Sequence, residues 1–258
     1  MEILILLFLA ILPVIICLGL LLRKDKIHPE PKSKLAAAFF GGILSLILTL
    51  IFTTIFDIQP QTWGLDPLLE GVSCAFLEAA IPEELFKFIC LYFIIWKSKE
   101  FDEYLDGIIY ATFVSMGFAS IENIVYIFEN GMGTAFLRAF TAIPGHFFCG
   151  VIMGYFLSLA KFDKANRISN LWKALGFAIL VHGIYDSLIF VSAGFLENDS
   201  ILLILFGFAL VIIFIIFNVK LWKYGIKRIN EHEAKDRALD KQTGVLMDAD
   251  QHEPTHRV

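Results

Sequence analysis

Apolar runs of about twenty residues decide what this chain can fold into, because each is the length a helix needs to cross about 30 Å of hydrocarbon. Seven candidate spans can be read off, roughly 3–22, 35–56, 68–96, 107–128, 139–160, 173–193 and 200–221. They lack the period-2 alternation of barrel strands. Lipid leaves only helices or closed barrels, since backbone groups find no water there. The expected fold class is therefore all-α, a polytopic transmembrane bundle of about seven spans. Composition agrees: 57% of residues are hydrophobic, against about 45–50% in soluble domains even with glycine counted.

The first run follows Met1-Glu2 with no basic stretch before it and no small-residue cleavage site after it. It reads as a retained span, not a cleaved signal. Cys17, Cys74, Cys90 and Cys149 lie in apolar stretches without paired spacing, which argues against a disulfide framework or structural zinc.

Basic residues alternate with their absence, connection by connection. Residues 23–34 carry Arg23, Lys24, Lys26, Lys32 and Lys34, whereas 57–67 carry only Asp57 and Asp66. Lys97 and Lys99 follow the third span, and 129–138 offers a single Arg138 at its edge. Lys161, Lys164, Arg167 and Lys173 surround the next connection, 194–199 has no base, and Lys220, Lys223, Lys227 and Arg228 close the last span. By the positive-inside rule the N-terminus lies outside and the C-terminus in the cytoplasm.

The chain thus divides into a transmembrane bundle over 1–222 and a cytoplasmic tail over 223–258. The tail is expected to continue the last helix briefly and then to be partly disordered. The third span is long for a perpendicular helix, and Pro67, Gly71 and Pro82 point to a lead-in segment or a kink at Pro82.

Charged side chains at mid-membrane cost about 2.5–3.5 kcal/mol each on insertion scales. Even so, Glu78, Glu83, Glu84, Lys87, Glu122, His146, His182 and Asp186 fall inside these spans. At a rise of about 1.5 Å per residue, Glu83, Glu84, Glu122, His146, His182 and Asp186 reach overlapping depths of about 14–23 Å above the basic side. Four helices running in alternating directions bring acids and imidazoles to one layer. Glu83 and Lys87 share a helix face and can pair, while Glu84 points about 100° away and is free to meet another helix. His182 and Asp186 also share a face, so the carboxylate can orient the imidazole. Glu78 reads as solvated near the outer surface, and Asn123 as a hydrogen-bonding neighbour of Glu122. Gly145, Gly150 and Gly154 allow close helix approach.

Paired carboxylates with histidines in a solvated cavity can activate water. No serine or cysteine has a partnered base at the same depth; Ser187 and Ser120 fit helix packing. Direct attack by water is the expected chemistry, with no cofactor called for. The same donors suit zinc, and although no HExxH helix is present, a site assembled from separate helices with Glu83, His146 and His182 among its ligands stays open. Two other classes stay open as well: a proton- or cation-coupled transporter, and a non-catalytic membrane scaffold.

Pro82-Glu83-Glu84-Leu85-Phe86-Lys87 resembles the EExxK motif of the PrsW family of bacterial intramembrane proteases. Asp106-Gly107-Ile108-Ile109-Tyr110 and Gly117-Phe118-Ala119-Ser120-Ile121-Glu122-Asn123 are similar to its DGxxY and GFxxxEN segments. His146 with Gly150 and His182 with Asp186 match its later motifs, so the resemblance covers roughly 67–193, a protease core, in order. It implies membership of the CAAX protease superfamily and a multi-pass protein of a bacterial or archaeal cell membrane. It also implies a membrane-protein substrate, such as a single-span anti-sigma factor cut in a stress response, with the lipid bilayer and no nucleic acid as partner. Carried over by position, Glu83 would be the base with Glu84 beside it. His146 and His182 would be oxyanion donors, and Lys87, Asn123 and Phe118 would support them. The CAAX enzymes have FxxxH where this chain has Phe118-xxx-Glu122, and their arginine comes one position after Lys87. Glu122 and His146 therefore both stand as the water-positioning partner of Glu83. The expectation is a glutamic-type intramembrane endopeptidase with Glu83, Glu84, Glu122, His146, His182 and Asp186 in its site.

Overall fold

The computed structural model describes residues 2–25 and 28–243, and every regular element among them is helical. The elements are α1 (Glu2–Leu22), α2 (Lys32–Ile55), α3 (Pro67–Ser73), α4 (Ile81–Ile95), α5 (Tyr104–Phe140), α6 (Ala142–Phe162), α7 (Arg167–Leu196) and α8 (Ile201–Thr243). Among the described residues, five helical stretches are long and apolar enough to cross a membrane: Ile3–Leu22, Lys32–Thr62, Tyr104–Phe162, Arg167–Leu196 and Ile201–Gln242. The stretch Tyr104–Phe162 holds both α5 and α6. The chain is an all-α membrane protein.

Helices α5 and α6 form the centre of the bundle and pack on each other through small residues. A Cβ on Gly154 of α6 would overlap the Gly107 carbonyl of α5, and one on Gly150 would come 2.9 Å from Thr112 Cα. On the other flank of α5, a Cβ on Gly117 would overlap the Phe39 carbonyl of α2. These backbones touch because no side chain stands between them. Large apolar side chains of α1 and α8, among them Phe8, Ile15, Leu205 and Ile212, face outward and stay exposed, as a lipid-facing surface requires.

Two departures from the expected layout shape the site. Between α3 and α4, Cys74–Ala80 form a π-helix. Pro82 has no N–H to offer the carbonyl four residues earlier, and the irregularity expected there takes the form of this wider turn. Helix α4 then starts at Ile81, with Glu83 and Glu84 in its first turn.

The second departure lies at residues 129–138, expected as a connection. They are helical, because Met132, Ala135, Phe136 and Leu137 continue an apolar helical pattern. The direction breaks at Gly131, whose φ of 78° suits glycine. Sixteen residues of straight helix would separate Glu122 from Arg138 by about 24 Å; the break brings them into contact instead.

At the basic end, α8 runs well past 222, so the helical continuation is long, not brief. Asp236 accepts hydrogen bonds from the Tyr104 and Leu105 amides, both at 2.8 Å, and so caps α5 from another helix. His232 stacks on Tyr155 with centroids 4.3 Å apart. Residues 244–258, where disorder is expected, lie outside the described residues.

Candidate active site

Helix α4 supplies Glu83, Glu84 and Lys87, and all three are buried. The Lys87 ammonium donates to Glu83 Oε2 at 3.0 Å and to Glu84 Oε1 at 2.9 Å. It also lies 3.4 Å from His146 Nδ1 and 3.8 Å from the centroid of the Phe118 ring. Pairing with Glu83 follows from their i,i+4 spacing. Glu84 also reaches His182 Nδ1 at 2.9 Å on α7, so it does face another helix.

Helix α5 contributes Glu122, and α6 contributes His146. His146 Nε2 lies 2.8 Å from Glu122 Oε2. A carboxylate only accepts, so Nε2 carries the proton and Nδ1 presents a lone pair toward Lys87. The His146 carbonyl accepts from Ser115 at 2.6 Å, which fixes α6 at that height. On α7, His182 Nε2 lies 3.1 Å from Asp186 Oδ2 and 3.9 Å from Glu83 Oε2. Both ring nitrogens of His182 thus meet carboxylates, and only the imidazolium can donate to both. The two imidazoles stand edge to face at 5.2 Å.

In the sequence Arg138 reads only as a loop charge, yet it belongs to this network. From beyond the Gly131 break it donates to Glu122 Oε2 at 2.9 Å and to Asn123 Oδ1 at 2.8 Å. Asn123 in turn donates to the Ala10 carbonyl of α1 at 2.8 Å. Its partners are therefore Arg138 and α1, not Glu122. The only signal in the sequence was one lone cation at the edge of an apolar segment. Ser120 bonds its own helix at Gly117 O, as a packing residue does.

A cavity of about 250 Å³ opens on this cluster, with Glu83, Glu122, Arg138, His146, His182 and Asp186 in its wall. A second cavity of about 710 Å³ reaches Glu83 and Glu122 from the other side and carries Glu70, Glu78 and Glu197. Glu83 faces both, whereas Glu84 faces neither.

The same cluster has the donors of a metal site. One ligand atom each from Glu83, Glu84, His146 and His182 lies within 4.8 Å of all the others. Glu84 Oε2 is buried with no hydrogen-bond partner. Four carboxylates (Glu83, Glu84, Glu122, Asp186) face two permanent cations (Lys87, Arg138), leaving negative charge for a further cation or protonated imidazoles to offset. Carboxylate oxygens and imidazole nitrogens are ordinary zinc ligands, so the residues fit a divalent ion, with the Lys87 ammonium competing for the same oxygens.

Residues 30–219 match the family model described as PrsW family intramembrane metalloprotease. The chain belongs to the PrsW family. It is 38% identical to Protease PrsW of Oceanobacillus iheyensis over 222 residues, covering 86% of this chain and 94% of that one. It is 32% identical to Protease PrsW of Clostridioides difficile over 235 residues, covering 87% and 90%. With Protease PrsW of Geobacillus kaustophilus it shares 37% identity over 166 residues, covering 64% and 71%. No solved structure matches. All of the clustered acids and histidines fall within the stretch that the PrsW family model covers. The chain is a membrane protease of this family.

Proposed function

We propose that this chain is a seven-span endopeptidase of a bacterial cell membrane, N-terminus outside and C-terminus cytoplasmic. It hydrolyses a peptide bond of a single-span membrane protein of the anti-sigma-factor kind. On this reading it shares the glutamate-based layout of the CAAX superfamily. The observation that carries the proposal is the meeting of Glu83, Glu122, His146 and His182, from four helices, in the wall of one buried cavity.

Glu83 is the base: it and Glu122 both face the two cavities, but Glu122 is tied to Arg138 and His146, which leaves Glu83 the carboxylate for water. It takes a proton from the attacking water and returns it to the leaving amine. Lys87 supplies the counter-charge that lets such a carboxylate exist away from solvent. Glu122, held by Arg138, orients His146; Asp186 and Glu84 orient His182. His146, donating to Glu122, and His182, held between carboxylates, set the polarity beside the reacting peptide, and the surrounding helices exclude bulk water.

The family description implies a metal, and the donor set accommodates one. Glu84, His146 and His182 would then hold it, leaving Glu83 free, and the ion would supply Lewis-acid activation of water.

The test is co-expression with candidate single-span membrane proteins, wild type against Glu83→Gln and His182→Ala, with fragments mapped. Both variants should insert and express normally and leave the substrate whole. Undiminished cleavage by either would remove the proposal. Exhaustive chelation of the purified protein separates the two forms of water activation. Cleavage that survives it, with no metal by elemental analysis, assigns the work to glutamate alone; cleavage lost on chelation and restored by zinc assigns it to the ion.

A further inference from the structure

Tyr185 stands in the wall of the 250 Å³ cavity beside His182 and Asp186; among the described residues its hydroxyl makes no hydrogen bond of normal geometry, with Thr141 only loosely placed beside it. The side chain is only 5% exposed. A buried hydroxyl left unpaired costs free energy, and buried tyrosines usually find a partner. Here the ring is held where it is. Gly145 of α6 lies against it, a Cβ there coming 3.2 Å from Tyr185 Cε2. The Phe214 ring of α8 meets it edge-on at 4.9 Å. On α7, His182, Tyr185 and Asp186 stand at i, i+3 and i+4 and share one face.

The buried charged donors around this cavity are already engaged, and the Tyr126 hydroxyl belongs to an exposed side chain. Lys87 serves Glu83 and Glu84, and Arg138 serves Glu122 and Asn123. His146 Nε2 and both nitrogens of His182 meet carboxylates, His146 Nδ1 faces Lys87, and Thr141 donates to the Leu137 carbonyl. Tyr185 carries the buried donor that is free to meet an incoming group.

We propose that Tyr185 is a catalytic residue of this peptidase, donating its hydroxyl hydrogen to the carbonyl oxygen of the scissile peptide as that oxygen becomes an oxyanion. The inference rests on the endopeptidase reading above. In the step, the water oxygen bonds to the carbonyl carbon and the π pair moves to the carbonyl oxygen. The water proton passes to Glu83. The tyrosine O–H stays intact and shortens its contact to the new oxyanion. The oxyanion's pair then re-forms the C=O bond as the C–N bond breaks; the C–N pair goes to nitrogen, which takes the proton back from Glu83. A donor with no partner in the resting protein is what preorganised stabilisation calls for, since its partner forms only during the reaction.

The test uses the full chain reconstituted in bilayers with a cleavable single-span substrate. Tyr185→Phe keeps the ring between Gly145 and Phe214 and removes only the hydroxyl. Turnover should fall about 10²–10³-fold, the usual loss for one oxyanion donor, with KM and melting temperature unmoved. Unchanged kcat, or a rise in KM alone, overturns the inference. Should Tyr185→Phe fail to fold, ring-fluorinated tyrosine at position 185 decides. The alkaline limb of the kcat profile moving to lower pH supports the role, and an unmoved limb overturns it. Wild-type protein that cleaves nothing, like Glu83→Gln, sinks the endopeptidase reading and this role together. Cleavage lost in Glu83→Gln but kept in Tyr185→Phe sinks the role of Tyr185 alone.

Discussion

Three groups crowd the Lys87 ammonium: Glu83, Glu84 and His146, all within 3.4 Å. Removing one partner of a buried ion pair costs about 3–5 kcal/mol, because the remaining charge is stranded. Lys87→Met should therefore lower thermal stability in detergent sharply and abolish cleavage, whereas Lys87→Met with Glu84→Gln should recover part of the stability. A single variant as stable as wild type would show that Lys87 is not the counter-ion. Asp186→Asn is a milder change. It weakens the 3.1 Å contact to His182 while leaving the fold intact, and loss of such an orienting group costs about 10- to 100-fold in activity. Steady-state cleavage rates on equal amounts of folded protein measure it. The pairs Glu83–Lys87 and His182–Asp186 were legible from spacing because both lie within one helix turn. The contacts of Glu84 with His182 and of Glu122 with His146 were legible only as matching depths. Arg138 and Tyr185 were not legible, since one depends on a backbone break and the other on a vacant donor in an otherwise ordinary aromatic position.

At the scale of the elements, the site is held together by how closely α5 and α6 approach. Gly154→Ala must push the helices apart, since the new methyl would overlap the Gly107 carbonyl. Overpacking of this kind costs about 1–3 kcal/mol and should also draw His146 away from Glu122. Gly176 of α7 has nothing within 4 Å of its would-be Cβ, so Gly176→Ala should be neutral or stabilise by up to about 1 kcal/mol. Unfolding of the two variants in detergent, side by side, tests the contrast; equal losses would mean the helix contact is loose. The long apolar helices were readable because lipid length and backbone satisfaction leave so few alternatives. The π turn ahead of Pro82 and the bend at Gly131 were not, because an isolated proline or glycine marks where a helix is interrupted without saying how the chain resumes.

Across the whole molecule, the basic end is closed by the polar half of α8 folding over the start of α5 and the loop after α1. Glu103, in the loop just before α5, lies 3.6 Å from His28, with Asp240 on the other side of that imidazole at 3.5 Å. Burial pushes Glu103 up to about 7 from its ordinary 4.5; His28 opposes the shift, and Asp236, Asp240 and Asp25 add to it. A carboxyl whose pKa is raised by folding binds its proton more tightly in the folded than in the unfolded chain. Its contribution to stability is therefore complete below about 4.5 and is lost as pH rises through about 7. Burial raises Asp25 and Glu30, in the neighbouring loop, in the same direction. Melting temperature in detergent should accordingly decline between about pH 4.5 and 7, and Glu103→Gln, which keeps the side chain's shape but cannot ionise, should flatten the decline. An identical slope in the variant would mean that the closure of this end does not depend on Glu103. A flattened slope with unchanged cleavage would show that the charge cluster at the basic end and the catalytic cluster deeper in the bundle titrate independently.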